Sequence, residues 1–392
     1  FAFAFVAGDL LAYQEAFNVT GHRTQSRNAV TGAIDAAYYN PVGLIKMQDG
    51  LYVDLGNRIL SLKTESEVQL GPLAGQKTNS ETLTYLLPNL AIAYKVPSGV
   101  LFYAFDIREG GAGGTWDDET SLTILGLANV AALGGADVCT KLEATTYTFG
   151  HTLGGAFKVN DMIAFGAGLR YFKKISDAKY DLSAVAVGAG FLEETHSSWD
   201  GFGGFVGVLV SPMNELNVSL QFQGKVMKYG RNQEQGAAGG TLSADGSNSP
   251  SIFLLGVAYK VMPELEVMFS YNREFTAEKK IGGTYDVYEE NDTDKQVFGL
   301  GAEYRIDPMI LVSAGVSYKL TGTADENNGY PPDPSFNEMD LGLGAVITPM
   351  AGLNIEIGLA YNIYQESKNK PETLNHTREA WVIGVGANYK VF

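Results

Sequence analysis

The side chains that most often carry chemistry are few and scattered in this 392-residue sequence. Its four histidines, His22, His151, His196 and His376, are far apart. None pairs with a cysteine or carboxylate at metal-ligand spacing. The single cysteine, Cys139, excludes an internal disulfide framework and a cysteine-based metal site. GxSxG, HExxH, Walker A and GxGxxG patterns are all missing. The expectation is a protein that is not an enzyme and that uses neither cofactor nor metal. The acidic run Glu289-Glu290-Asn291-Asp292-Thr293-Asp294 reads either as hard oxygen ligands for a divalent cation or as a solvated loop.

Binding chemistry is better represented. Residues 120–134 carry Leu122 and Leu125, and residues 184–192 carry Val185 and Phe191, in connections that are otherwise polar. Apolar patches on a wet surface bind ligands, or such loops pack on one another. Arg170, Lys225 and Lys319 fall, by strand phase, on the same inner face as Ile252, Leu254 and Met268. Apolar walls with one or two cations would suit an amphipathic acid. A one-residue slip would invert this assignment.

The elements that must position these residues are strands. Leu353-Asn354-Ile355-Glu356-Ile357-Gly358-Leu359-Ala360-Tyr361-Asn362-Ile363 alternates strictly, apolar at odd positions and polar or small at even ones. A period of two marks a strand with one greasy and one wet face. The pattern recurs, with Leu265, Val267, Phe269 and Tyr271 against Glu266, Met268, Ser270 and Asn272. Short turns near 96–99, 158–161, 211–214, 261–264, 306–309 and 348–351 separate strand pairs, and five of the six contain proline. Proline cannot donate to a ladder and belongs at such junctions. Much longer polar connections lie between them, near 64–82, 110–143, 184–200, 231–249, 278–295, 322–337 and 366–378.

Short turns on one side and long loops on the other are the asymmetry of a membrane β-barrel. Six tight turns join six pairs, and one strand stands at each end, which makes 14. The strands fall near 49–63, 82–96, 99–110, 143–158, 161–183, 200–211, 215–229, 250–261, 264–277, 295–306, 309–321, 338–348, 352–366 and 378–392. Many reach the roughly ten residues that cross a bilayer at a tilt. Tyr94, Tyr259, Tyr304 and Tyr389 lie near the tight turns, while Tyr171, Tyr271, Tyr318 and Tyr361 lie toward the long loops. Two such girdles mark the two interfaces of a membrane. No uncharged apolar run makes a spanning helix; the nearest, 122–138, is broken by glycines and Asn129. The net charge of -16 argues against nucleic acid as a partner. Phe1 to Ala7 reads equally as the tail of a signal peptide or as an apolar mature N-terminus.

Residues 8–48 do not alternate. A barrel of 14 strands has a lumen too wide for wall side chains to fill, so a plug folded into it is expected. The expected division is residues 1–48 as N-terminal segment and plug and 49–392 as barrel. Within the first, Ala33 to Leu44 holds the core Tyr38-Tyr39-Asn40-Pro41-Val42-Gly43-Leu44. This resembles the signature of the FadL/TodX family of outer-membrane transporters for hydrophobic compounds. The usual alanine after Asn-Pro is Val42 here. The C-terminal targeting pattern also departs: Asn388 and Lys390 occupy the phase in which Phe392 expects apolar residues.

The resemblance implies an all-β fold: a 14-stranded antiparallel transmembrane barrel with an N-terminal hatch and periplasmic termini, in the outer membrane of a Gram-negative-type bacterium. It implies a monomer whose partners are a fatty-acid-like hydrophobic small molecule and outer-membrane lipid, including lipopolysaccharide. Apolar external loops would dock the ligand, and the hatch around Gly32, Asn40, Pro41 and Gly43 would gate it. A kink in the third strand would open the wall sideways. The kink would fall at or just before Gly110, Gly111, Gly113 and Gly114, where a bend or bulge is easiest, although the residues by themselves read more readily as the start of a flexible loop. Long-chain fatty acids or related lipids are the expected cargo. A diffusion porin for polar solutes and a structural or adhesive surface barrel are the rival readings.

Overall fold

The computed structural model describes residues 20–69, 74–75, 77–116, 138–184, 189–235, 250–275, 293–321, 337–368 and 374–392. Its strands, in chain order, are β1 (Gly50–Val68), β2 (Lys77–Val96), β3 (Gly99–Trp116), β4 (Val138–Lys158), β5 (Ile163–Ala184) and β6 (Ala189–Met213). The seventh strand, β7, comes in two pieces, Leu216–Gln223 and Met227–Gln235, which both pair with β6. There follow β8 (Ile252–Met262), β9 (Leu265–Glu274), β10 (Lys295–Arg305), β11 (Ile310–Leu320), β12 (Glu338–Met350), β13 (Leu353–Tyr364) and β14 (Leu374–Lys390). Neighbours in sequence are neighbours in the sheet. The ladder from Tyr52↔Lys390 to Val68↔Leu374 joins first strand to last and closes a 14-stranded antiparallel barrel.

All six tight turns form. Two use a side chain to stand in for the missing ladder. Asn160 Oδ1 accepts from the Met162 and Ile163 amides at 2.8 Å each, and Asp307 Oδ1 from Met309 at 2.7 Å and Ile310 at 2.9 Å.

The strands of one side run further than the alternation predicts. β1 continues to Val68, β2 starts at Lys77, β3 reaches Trp116, β4 starts at Val138 and β6 at Ala189. Residues 189–200, expected in a loop, are therefore strand. The physical reason is that a sheet standing clear of the membrane is wet on both faces. Its ends carry Thr, Ser, Glu and Lys in place of an apolar alternation, so the signal fades before the strand does.

The polarity is that of a protein whose solvent is lipid. Leu101, Leu169 and Leu300 point outward at 69%, 72% and 58% exposure, while Arg58, Asp106, Arg170, Gln221 and Glu356 are buried on the inner face. A closed ladder leaves no unpaired backbone in hydrocarbon where that ladder is complete. Tyr94, Tyr259, Tyr304 and Tyr389 are exposed near the tight turns. Higher on the wall come ring pairs: Tyr171–Phe202 at 5.2 Å, Tyr271–Phe298 at 5.1 Å and Tyr361–Trp381 at 4.1 Å.

Residues 20–47 lie inside the barrel in short helical turns, Thr20–Thr24, Ala36–Tyr39 and Pro41–Lys46. Pro41 opens the last turn, where its missing N–H is no loss. Val30, Ile34, Val42 and Leu44 pack against Val100, Phe102, Phe205 and Leu209 of the wall, and this is the main core of the protein.

Candidate functional site

The N-terminal segment lies directly on the inner wall because glycines there leave room for its backbone. A Cβ at Gly315 would come within 1.7 Å of the Thr24 carbonyl oxygen, and one at Gly299 within 2.1 Å of that of Gln25. At Gly256 the Asn28 carbonyl carbon is 2.3 Å away. No other residue fits such an approach.

Four of the residues singled out in the sequence, Gly32, Asn40, Pro41 and Gly43, come together in the N-terminal segment. Asn40 is buried; its Nδ2 donates to the Val30 carbonyl at 3.0 Å and its Oδ1 accepts from Ser219 Oγ at 2.8 Å. Pro41 follows, and the Gly32 amide donates to the Gly43 carbonyl at 3.3 Å. Gly32 has φ +75°, and a Cβ at Gly43 would meet the Val30 carbonyl at 2.1 Å. Nearby, Tyr38 Oη donates to Asp54 Oδ2 at 2.9 Å. Burial, reinforced by Asp54, pushes the Tyr38 phenol above its ordinary range, so it stays a donor.

Two arginines, legible in the sequence but not singled out there, fasten the segment. Arg23 bridges Glu303 at 2.9 Å and Glu356 at 3.1 Å, while Arg27 bridges Asp35 at 2.5 Å and Glu303 at 2.8 Å. Both arginines are buried. Burial alone would raise the Asp35 carboxyl, but Arg27 and Arg23 outweigh it and hold it below the usual range. A cavity beside the segment, lined by Arg27, Tyr39, Arg108 and Leu254 among others, measures about 30 Å³. That is room for water and not for a lipid tail.

The wall ladder is short between β2 and β3. β2 and β3 pair only from Val96↔Gly99 to Leu90↔Phe105. Above that level β2 pairs with β1 alone and β3 with β4 alone, and the β3–β4 register shifts between Ile107 and Glu109 and again between Gly110 and Gly113. The seam therefore begins at Asp106, four residues before the glycines. Inside it, Leu60, Leu62, Leu87, Ile107 and Val382 form an apolar cluster that also touches Phe105, Tyr147 and Phe149. On the β2 edge a register break leaves Tyr85 and Leu86 67% and 68% exposed. Asn57 spans the break, donating to the Tyr85 carbonyl and accepting from the Leu87 amide, each at 2.9 Å.

The remaining sequence candidates disperse. Leu122, Leu125 and Val185 lie outside the described residues, as do residues 289–292 of the acidic run. The Phe191 backbone pairs with Leu182 in the β5–β6 ladder, and its side chain lies outside the described residues. Arg170 is buried in the lumen, hydrogen-bonded to Gln223 and 4.9 Å over the Phe172 ring. Lys319 pairs with Glu338, six strands further round the wall. Lys225 is a correction: it is exposed, and Val226 is buried in its place. The ladder breaks at Gly224 and Lys225, between the pieces of β7, and the inner phase shifts by one residue. Ile252 is half-buried and Leu254 buried on the inner face. Met268 packs against Ala29 of the N-terminal segment, so it supports the plug and does not line an open pocket. Arg23, Arg58, Asp106, Arg108, Glu303 and Glu356 were not singled out as site residues in the sequence. Their signal was a charge placed on the inner phase of a strand or within the plug.

These features define a plugged transmembrane β-barrel with an interrupted wall. The FadL/TodX resemblance holds at the level of the fold. The chain is similar to the crystal structure of a Pseudomonas aeruginosa FadL homologue, with TM-score 0.69 and 14% identity over 97% of this chain and 99% of that one. The Pseudomonas putida toluene transporter TodX gives TM-score 0.72 at 14% identity over 97% and 99%. The Ralstonia pickettii toluene transporter TbuX gives 0.67 at 15% over 96% and 99%. No family model and no curated protein matches the sequence.

Proposed function

We propose that this protein is an outer-membrane channel for passive uptake of hydrophobic small molecules, with long-chain fatty acids or related lipids as the cargo. The observation that carries the reading is the coincidence of residues 20–47 packed inside the lumen with an apolar cluster where the β2–β3 ladder ends. A porin needs a continuous polar path, and the segment 20–47 blocks one. A greasy molecule needs an exit into lipid, and the cluster from Leu60 and Leu62 through Ile107 to Phe105 and Phe149 supplies apolar surface from inside to outside. The fold shared with a FadL homologue and two toluene transporters supports the same class. In this scheme the ligand enters from the long-loop side, settles in the lumen, displaces the hatch around Gly32, Asn40, Pro41 and Gly43, and leaves between β2 and β3. The bulged stretch containing Gly110, Gly111, Gly113 and Gly114 lets β3 bend away.

Arginines on the inner face beside the seam favour an amphipathic acid over a neutral hydrocarbon. The test is uptake of a fluorescent long-chain fatty acid by proteoliposomes carrying the intact protein. Uptake without passage of small sugars supports the proposal; sugar flux without fatty-acid uptake replaces it with the porin.

A further inference from the structure

At the foot of the seam, Asp106 is fully buried on the inner face of β3, where pairing with β2 has just ended. Arg108 Nε donates to its Oδ1 at 2.9 Å and lies 2.9 Å from its Oδ2. Arg170 stands two strands away on the same inner face, in register with Ala104, and Arg58 faces inward on β1. All three arginines are buried. Opposite in the ladder stands Gly150, where a Cβ would lie 2.7 Å from Arg108 Cγ and 3.0 Å from Asp106 Oδ1. The wall has been cleared at that point for Arg108 to fold back over Asp106. Between the two charged residues, Ile107 turns into the apolar cluster, and its carbonyl accepts from Arg58 Nη2 at 3.3 Å. A carboxylate held by a guanidinium group, with an aliphatic surface running away from it, has the layout of a bound fatty-acid anion.

We propose that Asp106 is a built-in stand-in for the ligand's anionic head, occupying the Arg58–Arg108–Arg170 site until a ligand carboxylate replaces it. The proposal rests on the channel reading above and names the ligand class: a carboxylate-bearing amphiphile whose tail lies on Leu60, Leu62 and Ile107. The ligand carboxylate takes over the role of Asp106, so the buried arginines have one anionic partner before the exchange and one after it. Asp106 and Arg108 flank the residue at which β3 parts from β2. Release of Asp106 therefore loosens β3 where the wall opens, and couples head-group recognition to the seam. A neutral hydrocarbon cannot drive this exchange.

The test compares dodecanoate with dodecanol, which share a tail and differ in charge, by calorimetric titration of the purified full-length protein in non-ionic detergent. Asp106→Asn removes the internal competitor, and dodecanoate affinity rises about tenfold while dodecanol affinity is unchanged. Arg58→Gln weakens dodecanoate alone, and carries the test if Asp106→Asn loses its β-sheet circular dichroism. Equal shifts for both ligands, or weaker dodecanoate binding to Asp106→Asn, overturn the stand-in while leaving the channel reading intact. Failure of the wild-type protein to bind either dodecanoate or dodecanol overturns the channel reading, and the stand-in with it.

Discussion

Glu303 accepts from both hatch arginines, Arg23 at 2.9 Å and Arg27 at 2.8 Å, so one side chain holds two points of the plug. Removing one partner of a buried ion pair costs about 3–5 kcal/mol, because the other charge stays buried. Glu303→Gln is expected to lower the thermal midpoint of the detergent-solubilised protein and to raise ion conductance in planar bilayers; an unchanged conductance would mean that other contacts hold the plug. Gly315 tests the same seat sterically. With 1.7 Å available to a Cβ, Gly315→Ala forces the Thr24 backbone off the wall, and a leakier channel with native β-sheet content is the expected readout. Acid acts on the same contacts. Asp35 has its carboxyl held down when the plug is seated, so its contribution is complete above the ordinary aspartate value of 3.8 and lost as pH falls through the lower, seated value. Conductance should stay flat from neutral pH to about pH 5 and climb only below about pH 4.

At the scale of elements, the seam is the feature with a direct mechanical test. Continuing the Leu90↔Phe105 register would set Pro88 opposite Ile107. Cysteines at those two positions, with Cys139→Ser to remove the native thiol, are expected to staple β2 to β3 on oxidation. Fatty-acid uptake then stops and returns with reductant. Uptake that persists through the crosslink would place the exit elsewhere. The interruption of β7 at Gly224 and Lys225 shows how local such features are: two residues out of the ladder turned Lys225 outward and Val226 inward. Nothing in the sequence before the break announces it.

For the whole molecule, deleting residues 20–47 should leave a barrel with an unobstructed lumen that passes small sugars, measured by liposome swelling; a deletion that stays impermeable would place the seal in other parts of the chain. The closed wall, the strand number and the tight turns were legible in the sequence, because a strand between lipid and water must alternate and a tight turn must use Pro, Asn or Asp. The inner phase of Arg170, Lys319 and Leu254 followed from the same rule, and the turn around Asn40 and Pro41 stood out as a motif. What the sequence could not order was contact between distant segments. Arg23 meets Glu303 and Glu356, and Gly315 makes way for Thr24, across separations that no periodicity encodes. Nor did it show where β2 and β3 part, since both remain good strands up to and beyond that level. Local backbone preference and the polarity of the surroundings act residue by residue and are written along the chain. The seal and the opening depend on which surfaces meet when the barrel closes, and closure is a property of the tertiary structure alone.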